Sequence, residues 1–197
     1  MKRRNTSTSN ARGVTLVELL ISLAISAALL SATGIAIDAS FKSYSANQIT
    51  TDLTQRTRVA LHRILSELRT TAEHEPLTED QQDLFATGVE AIDSGIIMYR
   101  ADGSELRFHH DPTTRQLIAT LEGTQHVMLK GVTAFEVRLT PMWVMTDGNS
   151  RMRLAVLQRA SVLITVETHG DAADVSENRN PIRVTLSASA MPRQHVW

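Results

Sequence analysis

The run from Val14 to Ile37, VTLVELLISLAISAALLSATGIAI, constrains this chain more than any other feature, because Glu18 is its only charged residue. As a helix, the uncharged stretch from Leu19 to Ile37 would span roughly 28 Å, close to the hydrocarbon thickness of a bilayer. A helix apolar on every face needs either lipid or the interior of a large protein around it, and 197 residues are too few for such an interior beside a second full core. The run therefore reads as a membrane-spanning helix over 14–37.

The flanks orient it. Residues 1–13, MKRRNTSTSNARG, hold Lys2, Arg3, Arg4 and Arg12 and no acid. A basic cluster of this kind stays cytoplasmic, which sends everything after the span across the membrane. A secretory signal peptide would have a shorter apolar region ending at a small-residue cleavage site, and SATGIA near residue 33 is the closest approach to one. The formal net charge is −1, so the body without its four N-terminal cations is mildly acidic. That argues against broad electrostatic binding of nucleic acid. The chain has no cysteine, which excludes disulfides, thiolate nucleophiles and cysteine-ligated metals.

After Asp38 the helical pattern continues with a change of character. Phe41, Tyr44, Ile49, Leu53, Ala60, Leu61, Ile64, Leu65, Leu68 and Ala72 recur mostly three or four apart among polar residues, as an amphipathic helix requires. This predicts an amphipathic continuation over 38–75, stopped at Pro76 and followed by a polar loop in AEHEPLTEDQQD. Residues 76–197 then form the head. From residue 95 short β-branched and alternating segments alternate with turn formers, including Asp102-Gly103 and Asp111-Pro112. Five to seven antiparallel strands packed on the amphipathic half of a long helix make an α+β domain.

An acid inside a spanning segment costs about 2.5–3.5 kcal/mol at mid-membrane, less near an interface, and no Lys or Arg lies within the run. Cleavage after Gly13 would create a cation: the α-amine of Val14, with an ordinary pKa of about 7.7–8.0. Glu18 stands four residues on, able to meet that amine within one helix or on a neighbouring chain. Between chains, such a pair would set axial register, since sliding would leave both charges unpaired in an apolar medium.

On these residues the segment GVTLVELLIS resembles the type IV prepilin processing site. In that family a basic leader ends in glycine, the cut falls on the cytoplasmic side, the new N-terminus is methylated and its fifth residue is glutamate. The resemblance implies cleavage between Gly13 and Val14, N-methylation at Val14 and an assembly role for Glu18. Val14 departs from the commoner phenylalanine or methionine. Segments such as KGVTAFEVRLTPMW and PIRVTLSASA resemble the minor pseudopilins of type II secretion, above all the J-type subunit, and the W-type minor pilin. The implied partners are I-type and K-type subunits at a filament tip, a prepilin peptidase and methyltransferase, and an inner-membrane assembly platform. The resemblance implies a structural subunit with no cofactor and no catalytic residue. An uncleaved single-pass anchor bearing a periplasmic binding or sensory domain is the competing expectation.

Other signals read more plainly. His109, His110 and Asp111, with His126, invite a metal site, but adjacent strand residues point to opposite faces. Asp171, Asp174 and Glu177 have no EF-hand spacing and read as an acidic loop. Arg56, Arg58, Arg63 and Arg69 read as a solvated helix face, and Trp143 and Trp197 as core or interface residues. No nucleophile elbow, phosphate loop or zinc-protease motif is present.

Overall fold

The computed structural model describes residues 14–145, 153–168 and 181–193. The chain separates into two compact units, Met1–Tyr44 and Ser45–Trp197, and helix α1, Leu16–Thr70, runs through the division.

In the first unit the helix buries nothing. Leu16, Val17, Leu19 and Leu20, which together span a full turn of the helix, are exposed, and so are Leu23, Leu30 and Ile35. Three of its hydroxyls are satisfied within the helix: Ser22 Oγ donates to Leu19 O, Ser31 Oγ to Ala27 O and Thr33 Oγ1 to Leu29 O, all at 2.8–2.9 Å. Polar side chains that spend their donors on the preceding turn present little but carbon outward, as a lipid-facing helix requires. Where the apolar run ends, Asp38 and Lys42 pair at 2.9 Å one turn apart.

In the second unit the same helix acquires one buried stripe, Thr57, Ala60, Leu61, Ile64, Leu65 and Leu68. The three- and four-residue spacing is the one read from the sequence. Of the other positions in that pattern, Leu53 is partly buried, while Phe41, Tyr44 and Ala72 are exposed. The stripe packs into one core with residues from two sheets, among them Met98, Phe108 and Leu117 from the first and Val137, Val162 and Ile164 from the second.

Nine strands form among the described residues, more than expected. The segment read as a polar loop supplies β1 (Glu73–Pro76) and helix α2 (Glu79–Ala86), and β2 (Ala91–Asp93) follows. Next come β3 (Gly95–Tyr99), β4 (Glu105–Asp111), β5 (Gln116–Leu121), β6 (Thr124–Lys130), β7 (Val132–Met145), β8 (Arg153–Glu167) and β9 (Arg183–Ala190). One sheet has the order β1-β3-β4-β5-β6 and the other β2-β7-β8-β9, with every pairing antiparallel. The two anticipated turns are in place. Gly103 takes φ +82 and Asp102 accepts from Ser104 N–H, while the Asp111 carboxylate accepts from Thr113 and Thr114 N–H groups.

The chain changes sheets at Gly131, between β6 and β7. Its φ of +77 belongs to the left-handed region. A Cβ there would stand 2.5 Å from Glu167 O, and Glu167 N–H donates to Gly131 O at 2.8 Å. Only glycine permits both the turn and the close approach.

Candidate functional site

Of the predicted processing residues, Gly13 lies outside the described residues, and Val14 is exposed immediately before the helix. Helix α1 starts at Leu16 because Thr15 caps it. Thr15 Oγ1 accepts from Glu18 N–H at 3.3 Å and Thr15 O accepts from Leu19 N–H at 3.1 Å. The pattern Thr15-x-x-Glu18 is a helix-start signature, present in the sequence but not among the expectations above.

The cap changes the electrostatics of Glu18. In the first turn its carboxylate faces the positive end of the helix dipole, an offset of about 0.3–1 kcal/mol. Against a cost of up to about 3 kcal/mol this is partial compensation, so an added cation still improves the site. Val14 precedes the cap and stands outside the helical turn.

At the other end of α1 the terminal carbonyls are satisfied by residues that no sequence motif marks. Thr71 N–H donates to Glu67 O, Arg193 N–H to Arg69 O, and His74 Nε2 to Leu68 O at 3.0 Å. Since Nε2 must carry the proton to reach a carbonyl, Thr71 Oγ1, at 2.8 Å from it, accepts there and donates to Glu67 O. His74 is buried, and burial lowers its pKa to about 4 against the opposing pull of the Leu68 carbonyl. It serves as a neutral cap for the helix on which the head is built.

The remaining candidates are dispersed. His109, His110 and His126 line three different clefts, and His110 Nε2 donates to Val132 O at 3.0 Å, beside the sheet change. Among the described residues no group of three His, Asp or Glu side chains gathers as a metal would need. Trp143 lies over Gly88, where a Cβ would come within 2.6 Å of the indole. Asp171, Asp174, Glu177 and Trp197 lie outside the described residues.

The fold and this segment define a class: an α+β chain with a head on the second half of a long helix. The first half of that helix is, among the described residues, the segment apolar and long enough to cross a membrane. Residues 8–34 match the family described as the Prokaryotic N-terminal methylation motif. The chain thus carries the prepilin-type methylation motif, which supports the type IV pilin and pseudopilin family, one of structural rather than enzymatic proteins. Comparison with curated proteins and with solved structures gives no match.

Proposed function

We propose that this chain is a minor subunit of a pilus-type filament, of the J or W type, stored in the bacterial inner membrane and assembled through α1. Its observational support is the methylation motif coinciding with a helix that exposes carbon on every face and carries Glu18 in its first turn. In this reading residues 1–13 are a cytoplasmic leader. Prepilin peptidase cuts between Gly13 and Val14, and the new amine is N-methylated. Residues 14–37 span the membrane and later pack in the filament core. Beyond residue 37 the helix runs on to Thr70, short of the stop expected at Pro76 because Glu73–Pro76 is drawn into the sheet, and leads into a periplasmic head that begins with β1.

Glu18 then acts at assembly. The amine of a neighbouring subunit offsets the part of its desolvation cost that the helix end does not cover. I-type and K-type subunits and the assembly platform are the implied partners.

Intact-mass measurement of the chain expressed in a piliated or type II-secreting bacterium tests this. Loss of residues 1–13, with or without one methyl group, is expected. A chain of full mass would mean an uncleaved anchor, and a cut near residue 33 would mean a signal peptide; either overturns the proposal.

A further inference from the structure

The two sheets end in the edge strands β1, β6, β2 and β9, and the first three are protected against further pairing. β1 is 4 residues long and ends in Pro76, β2 is 3 residues long, and β6 faces a bulge beside Leu117 and Ile118 and ends at Lys130. Short length, proline, bulges and lysine are the ordinary means by which an edge avoids strand addition. β9 has none of them. Its 8 residues, RVTLSASA, pair with β8 in unbroken register from Arg183 opposite Glu167 to Ala190 opposite Ala160. Its single charge, Arg183, stands at the start and is paired with Glu167.

The ladder fixes which backbone groups stay open. Thr168 N–H donates to Ile182 O at 3.0 Å. Antiparallel pairs alternate from there, so Val184, Leu186, Ala188 and Ala190 turn their N–H and C=O groups toward β8, while Arg183, Thr185, Ser187 and Ser189 turn theirs to the open edge. Among the described residues no strand lies beyond β9 and no backbone group meets those outward ones. The side chains alternate too. Thr185, Ser187 and Ser189 are exposed, whereas Val184, Leu186 and Ala188 are half-buried, and Leu186 and Ala188 pack against the core with part of their surface still open. Just past the strand Arg193 is exposed, fixed through its N–H on Arg69 O, and among the described residues it forms no ion pair.

We propose that β9 is a docking edge for an extended segment of a different polypeptide, added as an antiparallel strand. The chemistry of that segment follows from what it would meet: aliphatic residues beside Val184, Leu186 and Ala188, small hydroxyl residues beside Thr185, Ser187 and Ser189, and a carboxylate where it passes Arg193. Main-chain bonds supply the affinity in this mode, and the alternation of side chains supplies the specificity. A second copy of β9 fits less well. Paired antiparallel about Ser187, two copies would bring Arg183 of each toward Arg193 of the other, like charges at both ends of the ladder. The edge belongs to the head alone, so the inference does not depend on the filament reading.

The test uses the full-length chain in detergent and a fluorescein-labelled peptide, Glu-Val-Thr-Val-Ser-Val-Thr-Val, capped at both ends. Saturable binding is expected by fluorescence anisotropy. N-methylation of the Thr and Ser amides, which face β9 in this register, should weaken it about tenfold or more, whereas N-methylation of the interior Val amides, which face away, should change it less than about twofold. These peptides leave the protein untouched, so no folding defect enters the comparison. Ser187→Pro removes an N–H that β8 does not use, and should abolish binding with far-UV circular dichroism and melting retained. Arg193→Glu should weaken binding about threefold, and a peptide with Lys in place of Glu should restore it. Hydrogen exchange at the amides of Thr185, Ser187 and Ser189 should be fast in the free chain and slow with the peptide bound.

No binding, or equal loss with either set of methyl groups, would overturn the inference. So would slow exchange at Thr185, Ser187 and Ser189 in the free chain, since the edge would then be covered by the chain itself or by a second copy. Intact mass, which tests leader removal, is independent of each of these outcomes.

Discussion

Two residues at the ends of α1 show how far a side chain's role depends on its neighbours. Glu18 lies in the capped first turn of the helix and carries the charge on which the proposed assembly role rests, and substitutions separate the two. Thr15→Ala removes the hydroxyl that accepts from Glu18 N–H, at about 1 kcal/mol. Amide exchange at Glu18 should accelerate about fivefold, read by mass spectrometry in detergent. If the proposed processing holds, Glu18→Ala keeps the cap and the Gly13–Val14 junction, so removal of residues 1–13 should proceed while recovery in sheared filaments falls to background; normal recovery would sink the register argument. At the far end, His74 has a folded pKa of about 4 against 6.5 unfolded. Between those values the unfolded chain binds more protons here than the folded one, so this site's contribution is complete above pH 6.5 and is lost as pH falls toward 4. It amounts to about 3 kcal/mol at most. His74→Gln keeps a donor for Leu68 O without the titration, and urea denaturation from pH 7 to 4 should show a shallower loss of stability than in the parent. An unchanged slope would show that His74 does not set it.

Among the elements, the helix was legible in advance and the small strands were not. The alternation of apolar and polar residues every three or four positions from Leu53 to Leu68 is a local property, and it matched the buried stripe. The turns at Asp102-Gly103 and Asp111-Pro112 were equally local, since each rests on a side chain or glycine acting within three residues. By contrast, β1 and β2 are 4 and 3 residues long, too short to show a period, and each exists because a longer strand pairs with it. His74 belongs to the same category: nothing in EHEP marks a helix cap until the fold returns it to Leu68. The junction at Gly131 carries a prediction of its own. Gly131→Ala combines positive φ with a Cβ 2.5 Å from Glu167 O, so it should cost at least about 2 kcal/mol. Gly103→Ala, with similar φ and open space around it, should cost about 1 kcal/mol. Chemical denaturation of the two variants checks the difference, and equal losses would show that Gly131 is needed for its turn alone.

For the molecule as a whole, one chain joins a helix suited to an apolar medium to a head suited to water, and α1 belongs to both. The division near Tyr44 follows composition: before it the helix exposes its apolar residues, and after it the helix buries a single stripe. The same contrast predicts that a chain lacking residues 1–44 stays in solution without detergent, whereas the full chain requires it, as centrifugation of the two preparations would show. The apolar helix, its lone acid, the basic stretch before it, the amphipathic stripe and the α+β class were all legible in the chain's residues. All of these depend on composition or on spacings of a few residues, which act before any long-range contact forms. Only the folded chain settles which strands join which sheet and which carbonyl His74 caps. Those outcomes depend on pairings between residues far apart in the chain, and no local pattern encodes which partner a strand edge or a buried donor will find.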